Sequence, residues 1–164
     1  MASIVDDVDM TWLTNACLSI VVVGASGDLA KKKTYPSLLN LFVDKLLPKD
    51  TQIIGYARSD MSDDDLRGRL RPYLEKSKHS EDNIESFLKI CFYQGGKSYG
   101  DTDAFGNVKA TMESYEKEND SVKEANRLFY FAIPPNVFGE TAVAIKKTCM
   151  QAEGTFLSSD SAMV

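Results

Sequence analysis

Two glycines and an alanine follow an apolar stretch near the start of the chain, spaced as Gly24, Gly27 and Ala30. Residues 20–23 before them form an unbroken β-branched run, which is typical of a strand buried on both faces of a parallel sheet. A helical pattern begins a few residues later, so the glycines lie where a strand passes into a helix. Such a helix start presents unpaired N–H groups and about half a positive charge, which stabilise a pyrophosphate. The spacing therefore predicts a dinucleotide-binding unit.

Each residue of this turn has a predicted role. Gly24 would let the chain leave the strand sharply, and Gly27 would let a phosphate approach the bare backbone. Ala30 is small enough for close packing of the helix on the strand. Ser26 adds a hydroxyl group, and Asp28 could cap the helix. The alternative is an ordinary glycine turn between a strand and a helix, with no ligand.

Composition limits the class of protein. The chain has 164 residues, 43% of them hydrophobic, which is enough for one domain with a core. No apolar run approaches the ~20 residues of a membrane span. The acidic first ten residues resemble neither a secretory signal nor a transit peptide. Three widely spaced cysteines indicate reduced thiols, and the net charge of −5 argues against nucleic-acid binding. A cytoplasmic location is therefore predicted.

Candidates for a catalytic base or a metal ligand are few. His79 is the only histidine, and it lies in a charged stretch. We expect a solvated surface residue there rather than a base or a ligand. The cysteines have no metal-ligand spacing either, so the sequence predicts no catalytic residue and no metal site.

The apolar pattern alternates between short strand-like runs and longer helical runs. Pro36 falls inside the first helix, which is therefore either kinked or interrupted. The fourth helix carries an apolar stripe, which predicts core packing rather than a ligand site. The stripe consists of Phe105, Val108, Met112 and Tyr115. The order predicts an α/β fold, a doubly wound parallel sheet of Rossmann type with strand order 3-2-1-4. The predicted strands are 20–23, 51–57, 90–93 and 127–133, and the predicted helices are 28–47, one capped by Ser62 and Asp65, one near 84–88, one near 105–115, and 137–150.

The end of the second strand predicts the type of dinucleotide. An NAD site usually has a carboxylate at this position, where it holds the ribose hydroxyls. Here the strand is followed by Arg58 and Ser59. Arginine presents a planar fork of donors that suits the 2′-phosphate of NADP. The sequence therefore favours NADP, although Asp60 nearby weakens the preference, and an exposed arginine without a ligand is the alternative.

Several segments together resemble the amino-terminal domain of the glucose-6-phosphate dehydrogenase family, most closely its eukaryotic cytosolic forms. The resemblance covers about residues 18–150 and implies NADP-dependent oxidation of glucose 6-phosphate at C1, which gives the 6-phospho-lactone at the entry of the pentose phosphate pathway. The segments are Gly24-Ala-Ser-Gly-Asp-Leu-Ala-Lys-Lys-Lys33, Leu47-Pro48, Gly55-Tyr-Ala-Arg58, Asn126-Arg-Leu-Phe-Tyr130 and Pro134-Pro135, in that order.

The resemblance also implies a set of cofactor-binding residues. Arg58, with Ser59 beside it, matches the contact to the 2′-phosphate, Lys33 a lysine close to the nicotinamide end, and Tyr130 a residue near the cofactor. The residues that match the phosphate-binding turn are Gly24, Ala25, Ser26, Gly27, Asp28, Leu29, Ala30 and Lys31.

The chain departs from the family after the last predicted helix. The family continues with a Glu-Lys-Pro-Phe-Gly segment and later an Arg-Ile-Asp-His-Tyr-Leu-Gly-Lys segment that holds its general base, and neither occurs here. We therefore expect a truncated chain that lacks the family's second α+β domain and has no activity by itself. The expected division is an extension over 1–17, an NADP-binding domain over 18–150, and a divergent, disordered tail over 151–164.

Two other functions were weighed. One is a non-catalytic NADP-binding or regulatory module that pairs with full-length subunits. The family is homo-oligomeric, and the sequence leaves the oligomeric state of this chain open. The other is an unrelated reductase, which requires a Tyr-x-x-x-Lys pair. Tyr115 is followed at that position by Asn119 and Tyr130 by Pro134, so the pair is absent.

Overall fold

A four-stranded parallel sheet organises the computed structural model, which describes residues 12–119 and 124–150. The predicted tail over 151–164, and most of the predicted extension over 1–17, lie outside the described residues. The elements are α1 (Trp12–Asn15), β1 (Ala16–Val23), a π-helical turn (Ala30–Thr34), α2 (Tyr35–Val43), β2 (Asp50–Ala57), α3 (Asp63–Leu74), α4 (Glu81–Lys89), β3 (Cys91–Gly95), α5 (Thr102–Glu118), β4 (Glu124–Phe131), a 3₁₀ turn (Pro135–Val137) and α6 (Phe138–Thr148).

The strands lie in the order β3-β2-β1-β4, with every neighbouring pair parallel. In the register, Val21 of β1 is opposite Ile54 on one side and Phe129 on the other. Both the doubly wound α/β class and the strand order 3-2-1-4 are thereby confirmed. The chain places β2 and β3 on one side of β1 and β4 on the other, so the strand order reverses between β1 and β4.

Strand β1 is buried on both faces, as its unbroken β-branched run predicted. Ile20 and Val22 pack into a core under α2, α3 and α4, whereas Val21 and Val23 pack into a second core with α5 and α6. Helix α5 contributes the predicted stripe to that second core, with Phe105 fully buried. The expected core-packing role of this stripe is confirmed.

Helix α3 begins at the predicted capping box. The Ser62 hydroxyl accepts from the Asp65 N–H at 3.1 Å, and the Asp65 carboxylate accepts from the Ser62 N–H at 2.8 Å. Two otherwise unpaired donors are satisfied in this way. The three acidic residues of the first turn also stabilise the positive end of the helix.

The prediction of a helix over 28–47 that is kinked or interrupted at Pro36 is confirmed at the interruption and wrong at its end. Before Pro36 the chain forms a five-residue π-helical turn, and only then α2. Proline lacks an N–H and its ring clashes with the carbonyl four residues earlier, and the wider turn accommodates both. The helix also ends at Val43, because Lys45 adopts a φ of 57° and the Leu46 N–H donates to the Leu41 carbonyl at 2.9 Å. This is a Schellman motif with lysine in the place usual for glycine.

The later elements differ from prediction only at their ends. The third strand is Cys91–Gly95 rather than 90–93, the fourth is Glu124–Phe131 rather than 127–133, and α6 ends at Thr148 rather than 150. Within the described ranges, no helix has the length and apolar character needed to cross a membrane.

A two-contact ion pair ties β4 to the helices behind it. Arg127 of β4 donates from Nε and Nη2 to the two carboxylate oxygens of Glu116 on α5, both at 2.7 Å. Its Nη1 donates to the carbonyl of Cys149, just after α6, at 2.8 Å. The side chains of Arg127 and Glu116 are only 8% and 16% exposed, so water screens this pair weakly.

We expect Glu116→Gln to lower the free energy of unfolding by about 2–4 kcal/mol, because it leaves a largely buried guanidinium without its counter-charge. Urea unfolding measures the change. Glu113→Gln is the matched control, because its pair with Lys109 is half-exposed and 3.6 Å long, and its loss should stay below about 1 kcal/mol. Equal losses in the two variants would contradict the clamping role of Arg127.

Candidate cofactor site

The predicted glycine turn, residues 24–29, lies at the carboxyl end of the sheet, directly after β1. At this edge the Ala132 N–H donates to the Val23 carbonyl at 2.8 Å, so the segment after β4 runs beside the end of β1. The turn therefore faces the crevice between β1 and β4, where the strand order reverses. In open parallel sheets this is the place where ligands bind.

Gly24 is held in a conformation and a space that only glycine fits. Its φ is +93°, and a Cβ atom there would lie 2.4 Å from the Ala132 carbonyl oxygen. The N–H groups of Gly24 and Ala25 both donate to the Tyr56 carbonyl, at 2.7 and 3.1 Å. The start of the turn is thus fastened to the ends of both neighbouring strands.

Gly27 leaves a bare stretch of backbone at the start of the helix. Its N–H donates to the Gly24 carbonyl at 2.9 Å, and its carbonyl accepts from the Lys31 N–H at 3.2 Å. A Cβ atom on Gly27 would approach only the Gly24 carbonyl oxygen, at 3.1 Å, and would otherwise point into open space. A pyrophosphate can therefore reach this backbone and the unpaired first N–H groups of the helix. Ala30, one turn later, is fully buried against the sheet.

The end of β2 brings two further predicted residues to the turn. The Ser59 hydroxyl donates to the Ser26 hydroxyl at 3.3 Å, which joins the two segments directly. The Arg58 side chain is exposed, and its guanidinium carbon lies 5.0 Å from the centre of the Tyr99 ring. Ser26, Ser59 and Arg58 therefore line one continuous polar surface.

Lysines after the turn have different partners. The Asp28 carboxylate pairs with Lys32 at 2.7 Å and with Lys31 at 3.4 Å. These ammonium groups lower the pKa of the Asp28 carboxyl, Lys32 most strongly. The predicted helix-capping role of Asp28 was wrong, because the carboxylate binds the two lysines of the next turn instead of a backbone N–H. Lys33 is exposed and forms no ion pair within the described residues.

Two predicted residues lie at the margins of this surface. Leu29 is 50% exposed beside the glycine turn. Tyr130 stands opposite Val22 in the register of β4, one position before the end of β1, and is 43% exposed. Both side chains are open to a ligand, whereas Ala25 is fully buried and offers only its backbone.

Sequence patterns missed two tyrosines that shape the end of β2. The Tyr93 hydroxyl donates to the Ser59 carbonyl at 2.6 Å, which fixes the backbone on the far side of Arg58. Tyr99 provides the ring beneath the Arg58 guanidinium. The predicted strand order could have identified them. It places β3 beside β2, so the carboxyl end of β3 must lie near Arg58. Gly96, also near that end, leaves room for Tyr56, whose hydroxyl would lie 2.0 Å from a Cβ atom there.

The histidine and the cysteine thiols contribute nothing to this surface. His79 lies between α3 and α4, where its Nε2 is 2.7 Å from Asn40 Oδ1. The three cysteines are buried, and burial raises the pKa of the Cys17 thiol to about 11. In the same part of the chain no group of histidine, cysteine and acidic residues could hold a metal ion.

Comparison with known proteins gives one family. Residues 21–159 match the family model described as glucose-6-phosphate dehydrogenase, NAD binding domain. The chain is 44% identical over 136 residues to a cytoplasmic isoform of glucose-6-phosphate 1-dehydrogenase from Solanum tuberosum, a match covering 82% of this chain and 26% of the relative. It is 42% identical over 136 residues to the enzyme of Drosophila melanogaster, covering 83% of this chain and 25% of that protein. The chain thus spans about a quarter of the length of these relatives.

Solved structures give the same picture. A glucose-6-phosphate dehydrogenase in complex with its substrate glucose-6-phosphate superposes with a TM-score of 0.77 at 35% identity, over 85% of this chain and 29% of that one. The glucose-6-phosphate 1-dehydrogenase of Mycobacterium avium, at 22% identity and a TM-score of 0.66, shares the fold over 80% of this chain and 26% of its own.

The two glycines of the turn should respond differently to alanine. Gly24→Ala should lower the free energy of unfolding by about 2 kcal/mol or more, because the backbone is left-handed and the new Cβ meets a carbonyl oxygen. Gly27→Ala is the matched control, and its loss should stay within about 1 kcal/mol because most of the space is open. Urea unfolding of both variants measures the difference. Equal losses would contradict the packing of Gly24 against Ala132.

Proposed function

The chain belongs to the glucose-6-phosphate dehydrogenase family through that family's NAD-binding domain, and we propose that its glycine turn and the end of β2 bind NADP. The residues present fit this cofactor. Gly27 leaves a cradle that a side chain would fill, and the helix start offers N–H groups. The Ser26 hydroxyl, which accepts from Ser59, keeps its own O–H as a further donor. When bound, NADP supplies the oxidised nicotinamide that accepts a hydride.

The choice of NADP over NAD rests on the contacts of the Arg58 guanidinium. This group rests over the Tyr99 ring and forms no ion pair with a carboxylate in the described part of the chain. Among the described residues, Arg67, Arg71 and Arg127 contact carboxylates, whereas Arg58 and Arg69 do not, and of these two only Arg58 directly follows β2 beside Ser59. Arg58 therefore keeps its charge and its planar fork of donors for a phosphate monoester. We propose the 2′-phosphate of NADP as that group.

The remaining predicted residues divide by their position. The backbone of residues 24–31 would hold the pyrophosphate at the helix start, where the dipole and the N–H groups coincide. Lys33, which has no carboxylate partner, and Tyr130, at the crevice between β1 and β4, would line the nicotinamide half of the site. The ring of Tyr99 positions Arg58 for the other end of the cofactor.

We further propose that these residues supply the cofactor half of the family's reaction, the oxidation of glucose 6-phosphate at C1 to the 6-phospho-lactone. Transfer of a hydride from C1 requires a base that removes the C1 hydroxyl proton. His79 is engaged with Asn40 away from the glycine turn, and the cysteines are buried thiols. The 164 residues by themselves would then bind NADP without turnover. Two relatives are named as cytoplasmic forms, and we propose the same location for this chain.

A second candidate function is a non-catalytic module that pairs with further polypeptide, such as a full-length subunit. One observation favours it. Strand β4 has a neighbour on one side only among the described residues, and Leu128 beside that edge is 48% exposed. A strand with unpaired N–H and carbonyl groups next to exposed apolar side chains invites pairing. A cavity of about 380 Å³ adjoins this edge, lined by Phe129, Tyr130, Phe131 and residues of α6.

Replacing Arg58 tests the choice of cofactor. Arg58→Ala should weaken NADP binding by about ten- to a hundredfold, because charge-assisted hydrogen bonds worth about 1.5–3 kcal/mol disappear. NAD binding, which involves no 2′-phosphate, should hardly change. Calorimetric titration of both cofactors measures the two affinities.

Gly27→Val is the companion variant, because a branched side chain in the cradle should remove binding of both cofactors. Equal losses of NADP and NAD affinity in Arg58→Ala would contradict the role of Arg58. A folded Gly27→Val chain that still binds NADP would contradict the position of the pyrophosphate.

The purified 164-residue chain should form no NADPH from glucose 6-phosphate above background, because its single histidine is engaged with Asn40 away from the glycine turn. The absorbance of NADPH measures turnover, and NADP binding by the same preparation shows that the cofactor half is folded. Activity that survives removal of host enzyme would mean that a base lies within these residues. That result would contradict the proposal that these residues supply only the cofactor-binding part of the reaction.

A further inference from the structure

A groove of about 600 Å³ lies between α2 and the loop that joins α3 to α4, on residues that the cofactor proposal does not use. Its volume lies in the range of small-molecule sites. Three lysines, one histidine and no acidic residue line it, although the whole chain carries a net charge of −5. The lining residues used below are Lys32, Asn40, Tyr73, Lys76, Lys78 and His79.

Positive charge in this groove is only partly neutralised. Lys32 pairs with Asp28, but Lys76 and Lys78 form no ion pair within the described residues. The ammonium group of Lys76 lies 5.2 Å from the centre of the Tyr73 ring, and that of Lys31 lies 5.9 Å from the same centre. The aromatic ring attracts both cations, and Lys76, unlike Lys31, has no carboxylate partner in the described residues.

The loop that carries these lysines is fastened to α2. His79 Nε2 lies 2.7 Å from Asn40 Oδ1 of α2, and the Ser77 N–H donates to the Leu74 carbonyl at 2.9 Å. A groove held in this way loses less conformational freedom on binding than a loose loop does. Lys32, Lys76 and Lys78 therefore line one groove whose wall is held in place.

We propose that this groove binds a small anion carrying several phosphates, separately from the cofactor at the glycine turn. Lysine ammonium groups bind phosphate as point charges, and several of them facing one cavity suit a compact, multiply charged anion. A nucleic acid would need a longer basic face, which the acidic chain lacks. The inference goes beyond the proposed NADP function and does not depend on it.

The test is calorimetric titration of the full chain with inorganic tripolyphosphate at low salt. The variant Lys76→Gln/Lys78→Gln should weaken binding by about fivefold or more, since two exposed charge contacts are lost. The matched control, Lys117→Gln/Lys147→Gln, removes the same charge from exposed positions on α5 and α6 and should leave the affinity within about twofold. The amide signals of Ser77 and His79 in NMR spectra should shift on titration.

Repeating the titration on Gly27→Val separates this groove from the cofactor site, because that variant blocks the glycine turn. Binding that persists there and remains sensitive to Lys76 and Lys78 supports the proposal, whether or not the chain binds NADP. Equal weakening by the control pair would overturn it, since the effect would then be one of net charge. Binding of a hexaglutamate peptide but not of tripolyphosphate would also overturn it, because carboxylates would be the preferred anion.

Discussion

The close approach of two strand ends at Gly24 is the constraint on which the rest of the structure depends. The carbonyl of Ala132 occupies the space where a Cβ atom would stand, and the left-handed φ of Gly24 turns the chain away at once. Hydrogen bonds from Gly24 and Ala25 to the Tyr56 carbonyl fix the same point to β2. Three strand ends thus meet around one residue. The polar surface formed by Ser26, Ser59 and Arg58 has its shape because these ends are held together.

Charge is distributed unevenly around that point. The chain is acidic overall, yet Arg58, Lys31, Lys32 and Lys33 lie at the end of β2 and in the helical turn after β1. Asp28 neutralises part of this charge through Lys31 and Lys32, whereas Arg58 and Lys33 remain without carboxylate partners in the described residues. Such a local positive potential attracts an anionic dinucleotide even though the net charge is negative. Lys31 and Lys32 thus form ion pairs within the helix, whereas Arg58 and Lys33 are available to a ligand.

Much of this fold followed from the sequence, for reasons that single residues make clear. Periodicity predicted the buried β1 and the stripe of α5, because each pattern corresponds to one burial geometry. The end of α2 could not be predicted, since Lys45 takes the left-handed position that glycine usually signals. Arg58 was found because it follows a strand directly. Tyr93 of β3 contacts Ser59, and Tyr99, which follows β3, contacts Arg58. Both were missed because these contacts depend on strand order rather than on spacing along the chain.

The π-helical turn over Ala30–Thr34 also governs rotation about the helix axis. One residue of an α-helix corresponds to about 100° of rotation, and a π turn contains about one residue more than an α turn. The π-helical turn therefore sets the direction around the helix in which Lys31 and Lys32 point. That direction is fixed relative to Tyr35 and Leu39, which are buried in the core. A one-residue deletion within the turn would restore regular winding but reorient everything upstream by a quarter turn or more. The length of this segment is consequently as constrained as its composition, and insertions or deletions here would be far less tolerable than substitutions.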